Sequence, residues 1–166
     1  ANYMLTKSID QTRLVIENDG WEHVDTTDVF GIHDYARTGE MLAQKYAVLE
    51  KPDARIPDNS RAALVPGYAY NGSPIFLSEF GGIAYHVPGS PAPEGAWGYS
   101  GVEKTPESAL ARLRGLYEGI AKVPRIIGIC YTQLTDVEQE INGLLTYDRK
   151  PKFDVAAIKA LNDMLR

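Results

Sequence analysis

The sequence feature that most restricts the fold is an alternation of short apolar runs with amphipathic helical stretches. Four apolar runs predict buried strands, at residues 14–16, 29–32, 74–78 and 126–131. Three helices are predicted to begin after the N-cap residues Thr38, Thr105 and Asp154. Apolar strands separated by amphipathic helices predict an α/β fold, in which a parallel sheet carries helical cover.

Two long stretches between these elements predict irregular structure. Residues 51–73 contain Pro52, which is expected to stop the helix that follows Thr38, and then Pro57, Pro66 and Gly67, so this stretch is predicted to be irregular. Residues 81–104 hold six glycines and three prolines among aromatic residues, which predicts one long loop. Because long loops in compact domains are usually functional or disordered, the second stretch is a candidate part of a site.

The composition excludes several kinds of protein. The 17 basic and 22 acidic residues give a net charge of −5, which argues against a nucleic-acid partner. A hydrophobic content of 44% excludes wholesale disorder, and no apolar run approaches the roughly 18 residues that cross a bilayer. The single cysteine, Cys130, excludes an internal disulfide and a cysteine-rich zinc site, and we expect it to be buried among apolar residues.

Polar and aromatic residues follow the carboxyl ends of the predicted strands. Trp21 follows the first strand, His33 and Tyr35 follow the second, and Glu79 follows the third. Parallel α/β folds place their sites at that edge of the sheet, so these side chains form a candidate site. Each has a structural alternative: Glu79 as a loop carboxylate, Tyr35 as a tyrosine at the edge of the core, and His33 as a structural histidine.

Four segments of the sequence resemble glycoside hydrolase family 2, which contains β-galactosidases, β-glucuronidases and β-mannosidases. Residues 77–82, Leu-Ser-Glu-Phe-Gly-Gly, resemble the strand that carries the nucleophile of that family. Residues 18–23 and 32–35 resemble the ends of the fifth and sixth barrel strands, and residues 131–152 resemble the loop after the eighth. The four segments occur in the family's order, and the resemblance covers nearly the whole chain.

The resemblance implies a particular fold and reaction. The family uses a (β/α)8 barrel and a retaining mechanism, which needs two carboxylates about 5 Å apart. Residues 1–166 would be the C-terminal half of the barrel, strands five to eight, without the upstream half-barrel and β-sandwich domains. The family's acid/base glutamate follows an asparagine, and this sequence contains no Asn-Glu pair. We therefore expect the fragment alone to be inactive.

The resemblance also assigns roles to individual residues. It implies that Glu79 is the nucleophile and that Tyr35 orients it by donating a hydrogen bond. Candidate substrate-binding residues are His33 and three aromatic residues, Trp21, Tyr131 and Trp97, the last of which lies in the long loop.

An acidic cluster after the last strand is the only candidate cation site. Three carboxylates are followed by three basic residues: Asp136, Glu138 and Glu140, then Arg149, Lys150 and Lys152. Loop carboxylates more often pair with such bases or remain solvated than bind a cation. We therefore predict neither a metal nor a cofactor.

The sequence leaves the substrate and two other functions open. The uronide-specific branch of the family carries an Asn-x-Lys motif that is absent here, which favours a neutral sugar, with β-galactosides first. The alternatives are a non-catalytic carbohydrate-binding or scaffold module and an unrelated flavodoxin-like domain. Acidic and bulky residues 17–21 argue against the latter, because its first strand would precede a phosphate-binding loop. The expected partners are a carbohydrate and, through exposed half-barrel edges, a second copy of the chain.

Overall fold

The computed structural model describes residues 1–51, 53–90 and 93–165, so the predicted helix stop at Pro52 lies outside the described residues. The elements in chain order are α1 (Asn2–Ile9), β1 (Asp19–Gly20), β2 (Phe30–Asp34), α2 (Gly39–Tyr46) with a 3-10 turn (Ala47–Glu50), β3 (Ile75–Gly81), β4 (Ala84–Tyr85), β5 (Val102–Glu103), α3 (Pro106–Ile120), β6 (Ile126–Thr132) and α4 (Val155–Asp163). Strands β1, β2, β3 and β6 form one sheet in that order, and every neighbouring pair is parallel. The predicted α/β fold with a parallel sheet is confirmed.

Helices α2, α3 and α4 begin where the sequence predicts. The Thr38 hydroxyl accepts a hydrogen bond from the Met41 amide, and Thr105 and Ser108 form a reciprocal capping box with Pro106 at the first helical position. Asp154 caps the last helix by accepting from the Ala156 amide. Each cap supplies a partner to an amide that the helix itself leaves unbonded.

The core lies between the sheet and helices α2 and α3. The sheet contributes Phe30, Ile32, Ile75, Leu77 and Phe80, and the helices contribute Leu42, Tyr46, Leu113, Leu116 and Tyr117. The two helices touch backbone to backbone, because a Cβ atom added to Gly39 would lie 1.7 Å from the carbonyl oxygen of Gly115. Only glycine permits this approach, which brings both helices down onto the same strands.

The prediction of a first strand at residues 14–16 is wrong. Residues 14–16 are not a strand, and the Leu14 side chain is 71% exposed. The Val15 amide donates to the Asp28 carboxylate, and its carbonyl accepts from the Asp28 amide, so this run is tied to a loop and not to the sheet. The strand at this edge is the two-residue β1, which pairs with Gly31 and Ile32.

Two further expectations need correction. The stretch 81–104 is not entirely irregular, because β4 and β5 pair in parallel within it. Cys130 is exposed and not buried, because it lies on β6, an outermost strand of the sheet. Residues 51–73 contain no helix or strand in their described part, as predicted. Within the described residues, no helix has both the length and the apolar character needed to cross a membrane.

Candidate active site

A cleft of about 690 Å³ opens at the carboxyl end of β2 and β3. His33 and Glu79 are paired residues in the register of these two strands, so their side chains start side by side. The structure brings four of the six predicted site residues to this cleft, Trp21, His33, Tyr35 and Glu79. They meet because the carboxyl ends of parallel strands share one edge of the sheet.

The Glu79 carboxylate is contacted by neighbouring side chains but remains accessible from the cleft. Its side chain is 39% exposed. The Tyr35 hydroxyl donates a hydrogen bond to its Oε2 atom, and His33 Nδ1 lies 3.2 Å from the same oxygen. The Tyr35 hydroxyl therefore fixes the direction of one Glu79 oxygen, while the exposed part of the side chain can be reached from the cleft.

Tyr35 is held in its neutral, hydrogen-donating form. Burial, and then its hydrogen bond to Glu79, raise the pKa of this phenol well above its ordinary value. A phenol that keeps its proton remains a donor at neutral pH. The arrangement therefore fixes one Glu79 oxygen and its direction without adding charge to the cleft.

His33 lies between two carboxylates. Its Nδ1 faces Glu79, and its Nε2 lies 3.2 Å from Asp19 Oδ2. The Trp21 ring packs edge-on against the imidazole with ring centroids 4.6 Å apart. The sequence analysis missed Asp19, although its place within the segment 18–23, beside the same sheet edge, was a usable signal.

A second carboxylate lining the cleft, Asp34, is fully engaged. It accepts hydrogen bonds from Lys45 Nζ at 2.9 Å, from the Tyr46 hydroxyl at 2.8 Å and from the Ala36 amide at 2.8 Å. The residue is 2% exposed. Among the described residues that line the cleft, Glu79 is thus the carboxylate left available for chemistry.

The structure does not bring the other two predicted residues into the cleft lining. The Tyr131 hydroxyl donates to the Asn142 carbonyl oxygen and accepts from the Ile83 amide, and burial raises the pKa of this phenol. Trp97 lies further out, where its half-exposed ring packs edge-on against Tyr99 with centroids 5.4 Å apart.

The acidic cluster after β6 serves the fold of its own loop. Asp136 accepts from Lys152 Nζ at 2.9 Å and from the Gly143 amide at 2.8 Å, so the predicted pairing with Lys152 is confirmed. Glu140 accepts from the Asn142 side chain, and Lys150 pairs with Asp148. In the described part of the chain, no group of three or more histidine, cysteine or carboxylate side chains is arranged to hold a metal ion.

Comparisons with known proteins show the fold. No family model matches the sequence, and no curated protein matches it. The structure of an exo-β-agarase matches with a TM-score of 0.66 at 16% identity, over 98% of this chain and 21% of that protein. A β-D-glucuronidase from Dictyoglomus thermophilum matches with a TM-score of 0.58 at 14% identity, over 98% of this chain and 27% of that one.

A third matched structure is named as an enzyme of glycoside hydrolase family 2. The β-galacturonidase of that family from Eisenbergiella tayi, bound to galacturonate, gives a TM-score of 0.56 at 16% identity, over 98% of this chain and 29% of that protein. The chain therefore has a fold like that of part of these glycosidases, and it spans between 21% and 29% of their lengths.

Proposed function

We propose that this chain supplies the nucleophile side of the active site of a retaining β-glycosidase, with Glu79 as the nucleophile. The observation that carries the proposal is the accessible Glu79 carboxylate, held by Tyr35 and His33 in a cleft at the carboxyl edge of a parallel sheet. An ionised carboxylate in such a place can attack an anomeric carbon.

The proposed reaction has two displacements. A Glu79 oxygen forms a bond to the anomeric carbon as the glycosidic C–O bond breaks, and an acid protonates the departing oxygen. Water then attacks the anomeric carbon of the glycosyl-enzyme ester, loses a proton to the same group, and releases both the sugar and the Glu79 carboxylate. Tyr35 orients the nucleophile in both steps.

We further propose that residues 1–166 form the C-terminal half of a (β/α)8 barrel. The support is a sheet of four parallel strands with helices α2 and α3 on one face, and a match to between 21% and 29% of the longer glycosidases. In that arrangement β1 and β6 would pair with strands of the upstream half. The same two edges would otherwise favour self-association, which is the proposed route to a homo-oligomer.

The acid that protonates the leaving group is proposed to come from outside this chain. Asp34 is a poor candidate because Lys45, Tyr46 and the Ala36 amide already occupy its oxygens. The chain alone is therefore expected to hydrolyse no unactivated glycoside, since one of the two required carboxylates is missing.

The proposed substrate is a β-glycoside of a neutral sugar, with β-galactosides first. Trp21 and His33 would contact the sugar from the cleft wall, Trp97 would contact a more distant part of the substrate, and Tyr131 would act from beneath the site. Two of the matched structures are named as acting on uronides. A substrate panel should therefore include β-glucuronides and β-galacturonides beside β-galactosides.

A second candidate function is a non-catalytic carbohydrate-binding or scaffold module. The observation that favours it is a cleft with an aromatic wall, Trp21, but one available carboxylate. Both functions predict sugar binding, and only the glycosidase predicts a covalent bond to Glu79.

The deciding experiment uses an activated inhibitor. A dinitrophenyl 2-deoxy-2-fluoro-β-glycoside needs little acid assistance, so its first step tests the nucleophile by itself. We expect mass spectrometry to find the fluoroglycosyl group on Glu79, both in this chain and in a longer protein that contains it. Glu79→Gln should remove the label, and the exposed Glu118→Gln, on α3, should keep it. A label on another residue, or tight sugar binding with no label, would contradict the glycosidase.

A further inference from the structure

Tyr35 does not stand alone in the cleft, because a second tyrosine covers its ring. Tyr35 and Tyr99 are stacked with ring centroids 3.5 Å apart and an interplanar angle of 1°. Both rings lie against Gly82, where an added Cβ atom would come within 2.3 Å of Tyr99 and 3.1 Å of Tyr35. The stack therefore requires glycine at this position, three residues after Glu79.

Tyr99 is anchored at both ends of its backbone. Its amide donates to the Gly82 carbonyl oxygen at 2.9 Å, and its carbonyl oxygen accepts from Arg112 Nη2 at 3.3 Å. The same guanidinium donates through Nε to the Arg37 carbonyl oxygen at 3.1 Å. One side chain from α3 thus ties the segment that carries Tyr99 to the segment that follows Tyr35.

The Arg112 side chain is largely buried and has one acidic neighbour. Its guanidinium lies 3.6 Å from Glu103 and is 10% exposed. Burial lowers the pKa of this guanidinium, and Glu103 opposes that shift. Arginine stays charged in proteins, and its planar fork of donors can serve two carbonyl oxygens at once.

We propose that Tyr99 is a positioning residue for the Tyr35–Glu79 pair and that Arg112 holds Tyr99 in place. The stacked ring blocks rotation of the Tyr35 phenol and keeps water from its face. A hydrogen bond shielded from water is electrostatically stronger, so the shielding tightens the hold on Glu79. The catalytic meaning of this inference rests on the proposed function, whereas its structural claim concerns Tyr35 alone.

The structural claim is tested by NMR on the chain carrying ¹³C at the ζ carbon of tyrosine. The Tyr35 resonance is assigned with Tyr35→Phe and followed as the pH is raised. Burial and Glu79 raise the pKa of Tyr35. In the wild type, the Tyr35 resonance should therefore keep its unionised chemical shift at the pH values at which exposed tyrosines titrate. In Tyr99→Ala, water reaches the phenol, and we expect ionisation at a lower pH.

Conservative and control variants separate a positioning role from a general loss of packing. Tyr99→Phe keeps the stacked ring but loses the Tyr99 hydroxyl, whose hydrogen bond is a lesser cause of the raised Tyr35 pKa, so it should titrate closer to wild type than Tyr99→Ala does. Arg112→Lys, which loses the planar fork of donors, should lie between wild type and Tyr99→Ala. The exposed Tyr147→Ala should change nothing. If Tyr99→Ala does not fold, Tyr99→Leu keeps apolar volume without the stack. A Tyr35 titration that is the same in wild type and in a folded Tyr99→Ala or Tyr99→Leu variant overturns the inference.

The catalytic meaning is tested by the rate of Glu79 labelling. An aromatic pair contributes about 0.5–1.5 kcal/mol, so Tyr99→Ala should slow the first-order labelling step by roughly two- to tenfold. The affinity for the inhibitor should change little, and Tyr99→Phe should restore the rate. A loss of affinity with an unchanged rate would make Tyr99 a binding residue. If wild-type Glu79 is not labelled at all, the proposed function fails, and the NMR comparison still decides the positioning claim.

Discussion

The cleft around Glu79 and the loop around Asp136 contain similar residue types but use them differently. In the cleft, Glu79 keeps an accessible carboxylate, and both the Tyr35 hydroxyl and His33 Nδ1 contact the same one of its oxygens. In the loop, Asp136 accepts from Lys152 and from the Gly143 amide, and the Lys152 side chain is fully buried. A carboxylate whose oxygens are occupied stabilises structure, whereas one that is oriented and still reachable can react. The predictions below test this difference.

The largest expected effect is on reactivity at Glu79. In the proposed enzyme, Glu79→Gln removes the nucleophile and should cost about 4 kcal/mol or more of transition-state stabilisation, roughly a thousandfold in rate. Its stability to urea should remain close to wild type. Asp136→Asn should show the reverse, with reduced stability and an unchanged labelling rate per folded molecule. Equal effects of both variants on labelling would remove the distinction between the two regions.

The next largest effect is on stability in the loop. Lys152→Met leaves Asp136 and the Ile141 carbonyl oxygen without their cationic partner, and breaking a buried ion pair costs about 3–5 kcal/mol. Urea unfolding followed by circular dichroism measures this cost.

A double variant sharpens the interpretation. Asp136→Asn/Lys152→Met removes the uncompensated charge and keeps an oxygen for the Gly143 amide. We expect it to be more stable than Lys152→Met alone, because the lone buried charge is the main cost. If the double variant is less stable, the loop depends on packing and not on the pair.

A smaller effect is expected at the donor to Glu79. Tyr35→Phe removes one hydrogen bond to a charged group but keeps the ring that stacks on Tyr99. Such a bond contributes about 1.5–3 kcal/mol, which predicts a decrease of roughly 10- to 150-fold in the Glu79 labelling rate. The melting temperature should change little. An unchanged rate would leave His33 as the group that holds the nucleophile.

Much of the fold was predictable because its signals are local. The strands from residues 29, 74 and 126 are apolar runs next to turn residues, and the caps at Thr38 and Thr105 lie beside their helices. Residues 14–16 have the same apolar composition, but hydrogen bonds to Asp28 hold them away from the sheet. That partner lies too far along the chain for a local pattern to reveal it.

The residues of the site also differ in how far local sequence could predict their positions. Trp21, His33 and Glu79 could be placed together because each lies at the carboxyl edge of a parallel strand. Tyr131 also lies on a strand near that edge, but its hydroxyl is taken by the Asn142 carbonyl oxygen. The contribution of Tyr99 depends on how the long loop folds back over Gly82, and nothing in the local sequence indicates that.

The smallest expected effect concerns Asp28, a carboxylate that resembles Asp136 in having several partners but lies closer to solvent. Lys7 Nζ lies 2.6 Å from it, and the Val15 amide and the Tyr3 hydroxyl donate to it at 2.8 Å. The hydrogen bond from Lys7, followed by those from Val15 and Tyr3, lowers the pKa of Asp28 below its ordinary value of 3.8. Ionised Asp28 therefore stabilises the folded chain above that ordinary value, and this stabilisation is lost as the pH falls through the lowered pKa.

Melting temperatures measured from about pH 6 down to about pH 2.5 test this dependence on Asp28. Asp28→Asn should be less stable than wild type at the upper end, and the difference should shrink as the wild-type carboxyl becomes protonated. The exposed Asp53→Asn should follow the wild-type curve throughout. The effect should be smaller than that of Lys152→Met, because solvent near Lys7 and Asp28 screens their interaction whereas Lys152 is shielded. A difference between wild type and Asp28→Asn that stays constant across the range would mean that Asp28 acts through packing or neutral hydrogen bonds and not through its charge.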